Sequence, residues 1–274
     1  MNALMRLYGS TDANLTDVEK MILAESEQDQ AAYDAEPVYI RVAPGGIGQF
    51  VLGDETAKGF NAIVVLSQKN RGYWPEASTG APPLCASQDG LSGVFNALAS
   101  DNQIRSAKSA RLPHPAIPLL DAGKDIPARF SCATCPMNQW GSMHQRKGGT
   151  GKACKEMRRL FLVPEGWTVP AVFMLPPTSV KAWDAYCSKL SAKRSAYFAV
   201  ITRFSLGTEK ARSGETYNTV QVDVAGEVKD LDKLAAVQDL RAQYRQYVSA
   251  APVVDGADNG DGGNPFEAEQ SIPF

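Results

Sequence analysis

Long hydrophobic runs are missing from this chain of 274 residues. The longest, such as Ala62–Leu66 and Ala171–Leu175, stop far short of the ~20 apolar residues that a membrane-crossing helix needs. Met1–Ser10 also lacks the apolar stretch of a secretory signal, so the protein is expected in a cytoplasm, with no membrane partner. Cysteine is sparse. Five in a chain of this size cannot staple a fold, and an odd number in a reducing compartment points to metal binding or free thiols. Histidine is sparser still, with only His114 and His144. Both are expected on surface loops, with replacement of a cysteine as a metal ligand the alternative. No catalytic constellation is legible either. Gly148-Gly149-Thr150-Gly151-Lys152 fails as a phosphate loop, because Arg146 stands where the first glycine belongs and Ala153 where Ser or Thr should follow the lysine. Hydrolase and kinase readings are weak, and a non-enzymatic role is expected.

What is present is enough for a folded core: 44% hydrophobic and 21% charged residues. The formal net charge of -2 conceals segregation. From Ala251 to the end there are five acids and no Lys or Arg, which leaves a body with 28 basic against 25 acidic residues. Arg105–Leu160 carries eleven Lys or Arg against three acids, whereas Met1–Phe60 carries four against ten. A basic middle between acidic ends favours a polyanionic partner for the middle.

The N-terminal segment, 1–36, reads as helical, with Thr16 and Glu19 at capping-box spacing before Met21 and Ile22. Strand patterns follow at Val38–Val42 and Gly48–Leu52, a hairpin around Pro44-Gly45-Gly46, and then at Ala62–Ser67 with a kinked continuation at Gly72–Trp74. From about Pro75 to Cys154 periodicity dissolves, and an irregular segment of that length needs something to hold it. Strands resume at Arg159–Val163, Ala171–Leu175, Tyr197–Phe204 and Thr216–Val224. A helix begins at Pro177 with Val180, Trp183, Tyr186, Cys187 and Leu190 on one core-facing side, and another covers Leu231–Val248. About seven short strands with few helices suggest a mainly β (α+β) fold, a small OB-like barrel over 37–250 with an insertion at about 75–157. The tail, 251–274, is too polar to order itself.

Four cysteines fall in or beside the irregular segment: Cys85, Cys132, Cys135 and Cys154. Cys132-Ala133-Thr134-Cys135 is a knuckle that brings two thiolates to one ion, and the 18-residue interval to Cys154 has zinc-ribbon spacing. Coordination would supply folding energy that a Gly- and Pro-rich segment otherwise lacks. A structural zinc held by these four thiolates is the leading reading. An iron–sulfur cluster is the alternative, since Pro follows Cys135, and free buried thiols remain a third.

Aromatic and basic residues alternate near this segment. Lys69-Asn70-Arg71-Gly72-Tyr73-Trp74 ends a strand, Trp140 follows the knuckle, and Arg146, Lys147, Lys152, Lys155 and Arg158 come next. Arg203-Phe204 repeats the pairing. Cations follow phosphates and rings stack on unpaired bases, each stack worth roughly 1–3 kcal/mol, so this mixture suits single-stranded nucleic acid. For each ring taken singly, a place in the core is an even alternative.

The chain ends Gln270-Ser271-Ile272-Pro273-Phe274 after an acidic, Gly-rich linker. This end resembles the tail of bacterial single-stranded DNA-binding proteins, with Gln270-Ser271 where that family has consecutive Asp. The resemblance implies that Ile272, Pro273 and Phe274 recruit replication and recombination proteins. The body, on Cys85, Cys132, Cys135, Cys154, Lys69–Trp74, Gln139-Trp140-Gly141 and Pro176–Ser179, resembles proteins of phages and integrated mobile elements. In plan it is similar to the zinc-bearing single-stranded DNA-binding proteins of large phages. That resemblance implies a non-enzymatic protein coating single-stranded DNA in a bacterial host cytoplasm, with homo-oligomerisation left open. The alternatives are an iron–sulfur or zinc-dependent enzyme of nucleic-acid metabolism, or a zinc-ribbon module for RNA or protein.

Overall fold

A computed structural model describes residues 38–43, 48–75, 82–96, 99–109, 113–143, 151–167, 170–210, 214 and 216–250. The expected helix over 1–36, the turn at Pro44-Gly45-Gly46 and the tail over 251–274 lie outside the described residues. The described part is mostly β. Its strands are β1 (Val38–Val42), β2 (Phe50–Leu52), β3 (Glu55–Ala57), β4 (Gly59–Tyr73), β5 (Cys85–Ser87), β6 (Ser92–Phe95), β7 (Phe130–Ser131), β8 (Cys154–Pro164), β9 (Ala171–Leu175), β10 (Val200–Lys210) and β11 (Thr216–Glu227). Four helices accompany them among the described residues: α1 (Asp101–Lys108), α2 (Ala116–Asp121), α3 (Pro177–Ala192) and α4 (Leu231–Ala250).

β4 organises the sheet. The two strand segments expected at Ala62–Ser67 and Gly72–Trp74 are one fifteen-residue strand with an irregularity between Val64 and Leu66. β8 runs antiparallel along one edge of β4, and β9, β1, β2 and β3 extend the sheet beyond it. The β1–β9 pairing is parallel. The other edge of β4 is divided. Gly59–Ala62 pair with β10, which pairs with β11, while Arg71–Tyr73 pair with β5, which leads to β6 and β7. Between these ribbons, Tyr197 and Arg241 meet the ladder: the Ser67 N–H donates to the Tyr197 hydroxyl, and Arg241 donates to the Val65 carbonyl. The sheet is not closed into a barrel, so the expected OB-type closure is replaced by an open, branched sheet. Closure fails because β4 splits its free edge between two ribbons, and a helix, not a returning strand, covers the inner face.

That helix is α3. Trp183, Tyr186 and Leu190 pack with Ile40, Phe50, Val64, Leu160, Phe173, Val200 and Phe204 in the main core. Phe204 stacks on Phe60 at 4.8 Å and meets Phe173 edge-on at 5.7 Å. Three polar links fix α3 on the sheet: Trp183 Nε1 to Ser67 Oγ at 3.0 Å, Tyr186 Oη with Thr202 Oγ1 at 2.8 Å, and the Val220 N–H to Ser179 Oγ at 2.8 Å. Cys187 packs against the same core, as expected of its helical position. On the opposite face, α4 sets Ala236, Val237 and Leu240 against Ile63, Val65 and Val163.

The segment between β4 and β8 has more structure than its pattern suggested. It holds β5, β6, β7, α1 and α2 around its own apolar cluster, centred on Tyr73, Leu84, Phe95, Ala107, Ile117 and Met137. Ser100 and Gln103 form a capping box at the start of α1. Apolar burial therefore contributes to the order of this insertion.

Candidate metal centre and nucleic-acid interface

Period-two alternation along β4 and β8 builds the site. Lys69, Arg71 and Tyr73 fall on one face of β4, opposite Arg158, Glu156 and Cys154 of β8. Tyr73 is also opposite Cys85 of β5. The knuckle lies beyond β7 and is fastened to this corner. The Cys132 N–H donates to the Leu91 carbonyl at 2.8 Å, and Asn138 Nδ2 donates to the Cys132 carbonyl at 2.7 Å. Asn138 Oδ1 accepts from Arg71 Nη1 and, at 3.3 Å, from Lys152 Nζ. Ser142 closes the far side, accepting the Ala153 N–H at 2.9 Å while its hydroxyl meets the Met137 and Gln139 carbonyls.

These connections bring the four expected cysteines to one small cavity of about 20 Å³, room for a single atom-sized guest. Cys85, Cys132, Cys135 and Cys154 line it with Arg71, Tyr73, Gly93 and His114. Gly93 is required by close approach. A Cβ there would stand 2.8 Å from Cys85 Sγ and 3.7 Å from Cys132 Sγ. Among the described residues no three His, Cys, Asp or Glu side chains stand at coordinating spacing, so the sulfurs converge without forming a ligand shell.

The electrostatics are those of neutral thiols crowded together. Burial, and then Cys135 and Cys132, push the Cys154 thiol up to about 12, with Arg71 and Lys152 opposing. Cys85 is driven well above its ordinary range by burial and by its three neighbours. Burial also raises Cys135, with the nearby backbone N–H groups of Met137 and Asn138 opposing it; the Asn138 N–H itself donates to the Cys135 carbonyl at 3.0 Å. A bound cation would reverse this balance, because a coordinated thiol is deprotonated. Four sulfurs on one cavity wall with the Arg71 guanidinium among them are the donor types that a thiophilic ion would need, although they are not spaced as a ligand shell.

His114 is not on a surface loop. It is 1% exposed, and burial lowers its pKa to about 4. Its ring lies against Tyr73, Phe95 and Phe130. His144 lies outside the described residues.

The residues expected to meet nucleic acid separate into three groups. Tyr73 (4% exposed) and Phe204 (0%) are core residues and present no free face at the surface. Arg71 is also internal, donating to the Gly90 carbonyl and to Asn138, and pairing with Glu156 at 2.8 Å. Glu156 takes Lys69 at 3.0 Å and Arg158 at 2.9 Å as well, and Arg158 makes a forked contact with Asp184 of α3. Lys69, Arg71 and Arg158 are thus paired with two acids. Glu156 is held below the usual carboxylate range: burial alone would raise it, but hydrogen bonds from Arg158 and Lys69 and the nearby cations prevail.

A second group stands at the rim of the insertion. Trp140 is 78% exposed, with Lys152 Nζ 5.7 Å from its ring centre. Trp74 is half-buried, its ring over Gly72 so closely that a Cβ there would collide with it. Lys69 and Lys155 are half-buried, Lys155 near the Met143 sulfur. Arg203 forms the third group. It is exposed but paired opposite Asn61, about 30 Å of strand from Arg71, so the fold does not bring it to the rim. Arg146, Lys147, Ile272, Pro273 and Phe274 lie outside the described residues.

Sequence reasoning missed Glu156, Asp184, Asn138 and Gly93, and placed His114 on a surface loop. The signal for Glu156 was present: Lys69 and Arg71 at strand spacing must share a face, and such a pair attracts an acid. No protein-family model, curated protein or solved structure matches the chain. Among the described residues no helix is long and apolar enough to cross a membrane.

Proposed function

We propose that this chain is a non-enzymatic single-stranded DNA-binding protein of phage or mobile-element replication and recombination. In this reading the four cysteines hold a structural Zn2+, and the insertion they pin acts as a zinc-ribbon-like cradle. The open sheet takes the place that an OB barrel was expected to fill. The observation that carries the reading is Trp140, a large exposed ring on the knuckle with a lysine ammonium above it. An exposed indole costs solubility, and paired with cations it suits an unpaired base and its phosphate. Trp74 offers a second ring, and Lys152 and Lys155 offer charge, while Lys69 is paired with Glu156, and Arg146 and Lys147 belong to the same stretch of sequence. Ile272, Pro273 and Phe274 would engage partner proteins through an apolar tip and its terminal carboxylate.

A competition among oligothymidylate, duplex DNA and RNA, read by tryptophan quenching, tests this directly. Preferential, saturable quenching by oligothymidylate is expected, falling with salt by about 0.7 log units per log unit for each phosphate neutralised. Preference for RNA or for no nucleic acid would favour the interaction-module reading. Elemental analysis should return one zinc per chain, whereas a brown, visibly absorbing protein would indicate an iron–sulfur cluster.

A further inference from the structure

The His114 imidazole is the least explained group in the cavity wall. Its Nδ1 accepts the Ala116 N–H at 3.2 Å. A ring nitrogen that accepts carries no proton, so this bond assigns the proton of the neutral ring to Nε2. Nε2–H is then a buried donor, and it has no hydrogen-bond partner among the described residues. The ring cannot easily swing towards water. It lies nearly parallel to Tyr73 (11°, centres 6.0 Å apart) and touches Phe130 edge-on at 5.2 Å. Inside the cavity, sulfur is the prevailing acceptor chemistry, since Cys85, Cys132, Cys135 and Cys154 share the wall with His114. A neutral thiol accepts weakly, while a thiolate is a strong acceptor.

We propose that the His114 Nε2–H donates a hydrogen bond to a metal-bound cysteine thiolate, making His114 a positioning residue for the four-cysteine centre and not a ligand of it. The inference rests on the metal reading above and adds to it the group that completes the shell. Four thiolates on a divalent ion leave a charge of about -2, which must be met by donors and cations in a site this enclosed. Arg71 supplies one cation beside Cys135 and Cys154, and the backbone N–H groups of Met137 and Asn138 lie close to Cys135. The His114 Nε2–H would supply a further donor from within the same cavity wall.

The full chain loaded with cadmium-113 and labelled at histidine nitrogen tests this without any substitution, since only two histidines contribute signals. The expected result is one bound ion and one slowly exchanging Nε2 proton coupled to cadmium through sulfur. As a second readout, His114→Phe should release metal to a chelator roughly 10- to 100-fold faster, with His114→Gln intermediate because it retains a donor. Direct cadmium–nitrogen coupling, with loss of the Nε2 proton, would overturn the proposal by making His114 a ligand. A bound ion with no such coupling, and wild-type release from His114→Phe, would also overturn it while leaving the four-cysteine centre standing. A chain that takes up no cadmium would overturn both.

Discussion

Burial divides the aromatic residues that stand beside cations in the sequence. Phe204 closes a ring cluster with Phe60 and Phe173, whereas Trp140 faces solvent with Lys152 above it. The two should respond oppositely to truncation. Phe204→Ala is expected to cost about 3–5 kcal/mol of stability, measured by denaturant unfolding, with unchanged DNA affinity in whatever fraction stays folded. Trp140→Ala should leave unfolding nearly untouched and weaken oligothymidylate binding by about 1–3 kcal/mol, roughly 5- to 150-fold. Adjacency alone could not separate these cases. Phe204 and Arg203 alternate on a strand, so one of them had to point inward, but which one depended on β4 pairing with β10. The cysteines were easier to read, because a two-residue knuckle restricts geometry locally. His114 was misread: prolines on both sides suggest a loop, while the Tyr73, Phe95 and Phe130 rings that bury it come from distant positions.

Elements carry the next set of consequences. Glu156 on β8 accepts Lys69, Arg71 and Arg158, and its folded-state pKa lies below the ordinary value of 4.5. A depressed carboxylate contributes stability fully above the unfolded-state pKa, and the contribution disappears as pH falls through the folded-state pKa. The stability difference between wild type and Glu156→Gln should therefore be constant from about pH 8 to 6 and shrink below about pH 4.5. A difference that persists unchanged at low pH would deny the ion-pair role. The same substitution frees positive charge at the cradle, so DNA binding should tighten at low salt and its salt dependence should steepen. Gly93 on β6 gives a separate test. In Gly93→Ala the added methyl meets Cys85 Sγ, and zinc content measured after gel filtration should fall well below that of wild type. The three-residue β3 was too short to read, and Tyr197–Ala199, expected as strand, is a 3-10 turn. Most other strands and helices outside the insertion were legible because two- and 3.6-residue periods recur there. Inside it, the helices α1 and α2 span eight and six residues, too short for periodicity to register. The capping box at Ser100 and Gln103 was the available signal.

At the scale of the molecule, mainly-β composition was legible and closure was not. Counting strands does not reveal that β4 divides its free edge between β10 and β5, a branching fixed by pairings distant in sequence. The acidic tail gives a further whole-chain expectation. Five acids tethered to a basic body compete with phosphate at high effective concentration. Removing Gly263–Phe274, which carries Glu267 and Glu269, should tighten single-stranded DNA binding, most clearly at low salt, and unchanged affinity would count against an inhibitory part for this end of the tail. The central claim joins the two halves of the site: thiolate coordination shapes the surface that holds unpaired DNA. It is tested most directly by one oligothymidylate titration of the full chain, monitored by tryptophan fluorescence before and after zinc is stripped with a chelator. Saturable quenching that disappears on stripping and returns with added zinc is the expected result. Identical titration curves for the loaded and stripped protein would contradict the account.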